Sequence, residues 1–465
     1  MAIQATQTNA LLSGWQVLKP SKMKDLFAAK GKQGGDYYLM IRALGWSKEV
    51  DQETYSHWEE DYIIENFRTR NAVTGHGAGD SIDVTLHADD LDTANRFYPV
   101  VGDELLLGNG SSRVVGVITV IDVSTPTAPV LTIEPKDTAD TLPDLNAGDY
   151  LFTFSNSHGE GTGQPDPRIS GVDEYYNHLK IIKHDIKATG TAYTDGLWFN
   201  IPWATMGVTD APQGSYYRKA VVDLDHRMAQ SIGGALQFDV LTDNAAVIDP
   251  VYLTTREGTL GVFPAIGLYG YQEDYTIGTM TIGDFNEYGR IFVREQVTEA
   301  EIMANVGYGL HTEIEDLLVD YIGNTDVDYT RKRVTNQLMG GSSETEVAIS
   351  FSYFKKGGRT YMFKVNYDFS NEKTYGTTGY NYEHLGMLIP MGKSKDARTG
   401  DMVPSIGYRY KKKGNYSREM YLWDTGSVDM ANPTNDVDEK RTHARAHIGA
   451  QQIAVNRFIS LEPTA

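Results

Sequence analysis

Cysteine is absent from this 465-residue chain. That excludes a disulfide framework, a thiolate metal site and a cysteine nucleophile. A hydrolase elbow of the form Gly-x-Ser-x-Gly is missing, as is a phosphate-binding P-loop. No run approaches the roughly 18 apolar residues of a membrane span. Residues 1–10 lack the basic-then-apolar layout of a secretory leader, so the expectation is a soluble protein made in a cytoplasm. Positive charge is scarce: 42 Lys and Arg stand against 62 Asp and Glu, a net charge of −20. Such a chain does not seek nucleic acid by counterion release unless its cations are grouped on one surface. Solubility is the plain reading of this charge; a container wall that must not adhere to packed DNA is the sharper one.

What is present is ordinary for a folded protein. Hydrophobic residues make up 40% of the chain and charged residues 22%, which at this length implies two or three subdomains. The 46 glycines and 29 tyrosines point to many turns and many half-exposed strands. Residues 1–60 read as an arm. A short helix is expected from Lys22 to Lys30, with Ser21 as N-cap. Trp15, Trp46 and Trp58 lie in mostly polar surroundings with too few local partners, and are expected to dock elsewhere on this chain or on a neighbour. Residues 61–214 read as an extended-loop region. Within it, residues 98–155 form a β module of four short strands with a turn signal at Asn109-Gly110, a small barrel or sandwich. A long hairpin leaving the body is expected over 160–200, including Tyr175 and Tyr176. Lys180, Lys183 and Lys187 punctuate it as lysines do on exposed strand edges.

Residues 215–322 read as a domain built on a long helix at 215–241. Tyr217, Val221, Leu224, Met228, Ile232 and Ala235 recur at spacings of three and four, and Asp223 and Arg227 stand one turn apart on the polar side. At ~1.5 Å per residue this helix would be about 40 Å long, weakened near its end by Gly233-Gly234. Thr298-Glu299-Ala300-Glu301 fits a capping box, with a helical pattern resuming at Ile314, Leu317, Leu318 and Tyr321. Residues 323–425 are β-rich, with Arg409-Tyr410-Lys411-Lys412-Lys413 in the turn of a hairpin. Residues 426–465 return to the earlier domain, with a strand expected over 447–461.

Chemistry-bearing groups are poor in pattern. His443 and His447 lack a nearby glutamate and a third ligand. Acidic clusters such as Glu313-Ile314-Glu315-Asp316 are what 62 acids produce by chance. No catalytic, cofactor or metal residues are expected, and the chain reads as a structural subunit, not an enzyme.

The order of elements adds a positive pattern: arm, β module, two-stranded excursion, long helix, β-rich α+β portion, returning strand. Local phrases accompany it: Ala147-Gly148-Asp149-Tyr150-Leu151, then Tyr175-Tyr176-Asn177-His178-Leu179-Lys180-Ile181, Leu236-Gln237-Phe238, Arg256-Glu257-Gly258-Thr259-Leu260-Gly261, and Lys356-Gly357-Gly358-Arg359-Thr360-Tyr361. Over about residues 60–460 this resembles the major capsid proteins of tailed bacteriophages, with a weaker lean toward crAss-like and other large-capsid groups. Phe238-Asp239 departs from the aromatic-glycine ending of many members. The resemblance implies an α+β Hong Kong 97-like fold with N-terminal arm, extended loop, spine helix, axial domain and an inserted small β-barrel module. It also implies pentamers and hexamers of an icosahedral shell around double-stranded DNA, assembled in a host bacterial cytoplasm. Portal, scaffold and decoration proteins would be partners, with packaged DNA nearby, no membrane and no cofactor. Inter-subunit contacts are expected at Trp15, Trp46, Trp58, Tyr175, Tyr176, Lys180, Lys183, Lys187, Asp223 and Arg227. Two other readings stay open: a tail or baseplate component, and a carbohydrate-active β-rich enzyme.

Overall fold

The computed structural model describes residues 35–60, 66–74, 76–91, 99–108, 113–165, 172–194, 216–322, 332–334, 349–370, 380–395, 400 and 402–464. Trp15 and the helix expected at 22–30 lie outside them. The chain is a mixed α+β protein with many strands and few helices. The helices are α1 (Asp36–Ala43), α2 (Gly190–Thr194), α3 (Tyr216–Phe238), α4 (Val262–Tyr269), α5 (Ile282–Arg294) and α6 (Tyr308–Ile322). Two compact units share the strands: residues 58–175 form one, and residues 1–57 with 176–465 form the other.

The smaller unit is an antiparallel six-stranded sheet. Its order is Asn66–Arg68, Tyr150–Asn156, Asp103–Gly108, Arg113–Asp122, Val130–Pro135, Ile82–Thr85. Period-two alternation places Leu105, Leu107, Ile118, Leu131, Ile133 and Leu151 in one core. A bridge joins Thr69 to Leu86, beyond the ends of the two outer strands. The strands expected over 98–155 are here, and residues 66–86 supply two more.

In the larger unit, α3 lies on one face of a six-stranded sheet. Strand Glu439–Gln452 pairs along its length with Lys180–Thr189, and on its other side with Ile406–Lys413 and Tyr421–Gly426. Leu224, Met228, Ile232 and Leu236 of α3 bury against Ala444, Ala446, Ile448 and Ile182 of the sheet. This corrects the expected hairpin over 160–200. Residues 180–189 are sheet strand, because Ile182, Ile186 and Ala188 bury toward the long helix and fix the register. The region 61–214 is therefore divided at Tyr175, where the smaller unit ends. The basic run lies on strand Ile406–Lys413, and the turn falls at Gly414, whose φ of 58° suits a residue without Cβ.

A seven-stranded sheet forms the second layer, in the order Tyr271–Thr276, Ile459–Thr464, Gly386–Pro390, Glu301–Val306, Arg359–Val365, Ile349–Lys356, Lys332–Val334. The capping box expected at Thr298–Glu301 does not start a helix. Residues 302–306 are all buried, with Ile302, Ala304 and Val306 in the core shared with α5 and α6 and Met303 in the core shared with α3 and α4. Apolar contact on both faces selects a central strand over a helix. The capping box that does form is at Thr281 and Asp284, where Thr281 N donates to Asp284 Oδ2 at 2.6 Å at the start of α5. The C-terminal stretch expected as one strand is two, one in each sheet, with a short 3-10 turn at Val455–Arg457 between them.

Candidate assembly surfaces

The long helix is held at its middle and at its C-terminal end by groups distant in sequence. Near its middle the backbone of residue 35 crosses it at contact distance. A Cβ on Gly35 would lie 2.3 Å from the Ala229 carbonyl oxygen, and Gly35 has φ of 77°. Glycine is the residue that tolerates both conditions. Gly233 faces the same crossing, its Cβ position 3.0 Å from Gly35 Cα, so it serves close packing instead of merely weakening the helix. Asp368 Oδ2 accepts from Gly35 N at 2.8 Å and Asp36 N at 2.9 Å, anchoring the start of α1. Burial first, and then neighbouring Asp36, push the Asp368 carboxyl above its ordinary range.

Where α3 ends, two phrases separated by about 80 residues of sequence meet. The buried Asn177 side chain donates to Leu260 O at 3.0 Å and Ala450 O at 2.9 Å. Its Oδ1 accepts from Leu260 N at 2.8 Å and Thr259 Oγ1 at 3.2 Å. Asp239 Oδ2 accepts from Thr259 N at 3.0 Å and from Lys180 Nζ at 2.8 Å. The Phe238-Asp239 departure noted in the sequence thus has a role: the carboxylate ties the helix end to residue 259 and to the sheet edge.

The segment leaving this node carries the most exposed large apolar side chains among the described residues. Val251, Tyr252 and Leu253 are 75%, 79% and 72% exposed. They are nonetheless held: Asp249 Oδ1 accepts from Val251 N at 2.9 Å and Tyr252 N at 3.0 Å, and Asp249 N donates to Thr254 O at 2.8 Å. Leu253 adopts φ of 53°, a left-handed conformation that a branched side chain takes only where surrounding bonds enforce it. Three adjacent exposed apolar groups thus stand on a turn held by backbone bonds.

A second exposed feature is a ribbon. Strands Thr54–Glu60 and Val172–His178 pair with each other as a two-stranded sheet. Trp58 is 65% exposed and Tyr176 59% exposed on it; Tyr175 is half-buried. Trp46, by contrast, is buried in its own chain's core beside α1. Lys180 and Lys187 are held by Asp239 and Glu439, while Lys183 is exposed. Asp223 is half-buried and Arg227 exposed on α3. His184 of the sheet meets Ser231 of α3 at 2.9 Å, its pKa lowered by burial and then by Arg227. His447 is buried, its pKa lowered to about 4 by burial, then by Arg418 and Lys411.

Sequence reasoning did not single out Asn177, Thr259, Asp239 or Gly35 as functional. Asn177 lies on a mostly polar strand, and Gly35, Asp239 and Thr259 lie outside strands, so no local pattern marked them. Among the described residues no group of three or more His, Asp or Glu is placed to hold a metal ion, and no helix is long and apolar enough to cross a membrane.

No protein-family model matches the chain, and no curated protein matches it. Solved structures do. One is of Microbacterium phage Oxtober96, with 8% identity over 97% of this chain and 98% of that chain and a TM-score of 0.38. Another is the capsid of a native GTA particle, with 7% identity, 97% of each chain and a TM-score of 0.38. The holo-SrpI encapsulin complex from Synechococcus elongatus PCC 7942 matches with 10% identity over 63% of this chain and 77% of that chain, at a TM-score of 0.33.

Proposed function

We propose that this chain is the major capsid protein of a tailed bacteriophage. It forms pentamers and hexamers of an icosahedral shell around double-stranded DNA and acts without catalysis. The ribbon Thr54–Glu60 with Val172–His178 carries this reading. A two-stranded ribbon is marginal by itself in water, and this one exposes Trp58 and Tyr176. Both facts are resolved when a second copy covers it. The long helix backed by a sheet, with the N-terminal helix laid across it, supplies a rigid body for such contacts. A surface on one copy that meets a different surface on the next is heterologous, and heterologous contacts close into rings.

On this reading the Thr69–Leu86 bridge closes the smaller unit as an inserted barrel. Trp58, Tyr175, Tyr176, Lys183, Asp223 and Arg227 belong to inter-subunit contacts. Portal, scaffold and decoration proteins are separate chains, and assembly takes place in the host bacterial cytoplasm. The test is the double substitution Trp58→Ser with Tyr176→Ser. Both side chains are exposed, so helix content and melting should be unchanged while particles are lost from sedimentation. Normal particle yield would overturn the assignment of the ribbon.

A further inference from the structure

The net charge of −20 is unevenly divided. Residues 58–175 hold 21 acidic against 6 basic side chains, a net −15 in 118 residues, leaving −5 for the other 347. Within the larger unit, cations collect on the face of the six-stranded sheet opposite α3. Even-numbered residues of Glu439–Gln452, such as Ala444 and Ala446, bury against α3. Alternation therefore turns Arg441, His443 and Arg445 the other way. Register places Lys187 opposite Arg441 and Lys183 opposite Arg445. Arg409 and Lys411 continue this face on the neighbouring strand, with Arg418 close to His447. With Lys48 opposite Arg409, eight cations stand against four carboxylates: Asp185, Glu439, Glu53 and Asp249, the last beside Lys183.

The same face is aromatic. Tyr421 stacks on Trp423 with ring centroids 5.5 Å apart, and Trp423 stacks on His443 at 5.0 Å. The Arg445 guanidinium lies over Trp423 at 4.9 Å. On the acidic unit, strand Tyr150–Asn156 exposes Tyr150, Phe152 and Phe154 in a row on one face.

We propose that this cationic and aromatic sheet face receives the acidic unit, residues 58–175, of a second copy of the chain. The inference deepens the shell-forming reading and rests on it. Charge of opposite sign on the two surfaces steers their approach and fixes the partner. The rings then bury against the apolar row, which a phosphate backbone could not match. One copy offers both surfaces, so the contact repeats from copy to copy.

The experiment uses the full chain in unlabelled and ¹⁵N-labelled form, mixed before assembly. A carbodiimide then joins amines to touching carboxylates, and mass spectrometry reads the pairs. Mixed-label links from Lys183 or Lys187 to carboxylates in 58–175 are expected. Lys183→Glu, at an exposed position, should weaken association at least tenfold at low salt, with the difference shrinking in 1 M salt as charges are screened. Links within one label alone, or none to 58–175, overturn the proposal. So does a Lys183→Glu chain that assembles normally but no longer retains a 30-base-pair DNA duplex, which would give the face to nucleic acid. Particles without mixed links overturn this contact and leave the shell reading intact. Mixed links in small oligomers without particles support the contact and overturn the shell.

Discussion

Replacing Asn177 by alanine tests whether the end of α3 is held by one side chain. The substitution removes two donated and three accepted hydrogen bonds, to residues 178, 259, 260 and 450. It leaves Leu260 N and Ala450 O in a buried setting without that partner. Each buried polar group left unsatisfied costs about 1–3 kcal/mol. Water can enter the space of a lost carboxamide and recover part of this, so a net loss of about 3 kcal/mol is expected. For a unit of this size, above 300 residues, that is a fall of roughly 4 °C in Tm. Asn177→Asp keeps the shape but sets a carboxylate against the two carbonyls at Leu260 and Ala450, and should be at least as harmful. The local readout is amide hydrogen exchange: protection of Leu260 N and His178 N, both of which donate to Asn177 Oδ1, should collapse while that of α5 persists. A change under 1 kcal/mol, with exchange at 260 and 178 unaltered, would refute the reasoning.

Two further predictions concern packing and pH. Gly35→Ala places a methyl 2.3 Å from the Ala229 carbonyl at a φ of 77°. It should cost about 2–3 kcal/mol and speed proteolysis of the α1 segment; unchanged melting and cleavage would contradict the close crossing. His447 is buried neutral with its pKa lowered to about 4, against about 6.5 unfolded. Because the folded value is depressed, this contribution is complete above pH 6.5 and is lost as pH falls from there toward 4. Between pH 7.5 and 5 the loss is about 2 kcal/mol. Denaturant melts of His447→Gln should lack that part of the slope, and identical slopes would remove the histidine from the account.

The long helix was legible because Tyr217, Val221, Leu224, Met228 and Ile232 repeat at three and four, and every one of them is buried. The strands of 98–155 were legible for the same reason at period two. Residues 301–306 were not: a strand covered on both faces has no alternation, and its first residue completes a capping-box pattern that only tertiary burial overrules. Residues 180–189 were misread because lysines mark solvent on one face, while the opposite face gave too short an apolar run to show what covered it. The Asn177 node joins residues 83 and 273 positions apart in sequence. Local pattern carries no information on such a pairing.

The central claim is self-assembly, and electron microscopy of the purified full chain tests it most directly. The account predicts rings of five and six subunits and closed shells. A field of single chains, with no ring or shell from low to high salt, would contradict it.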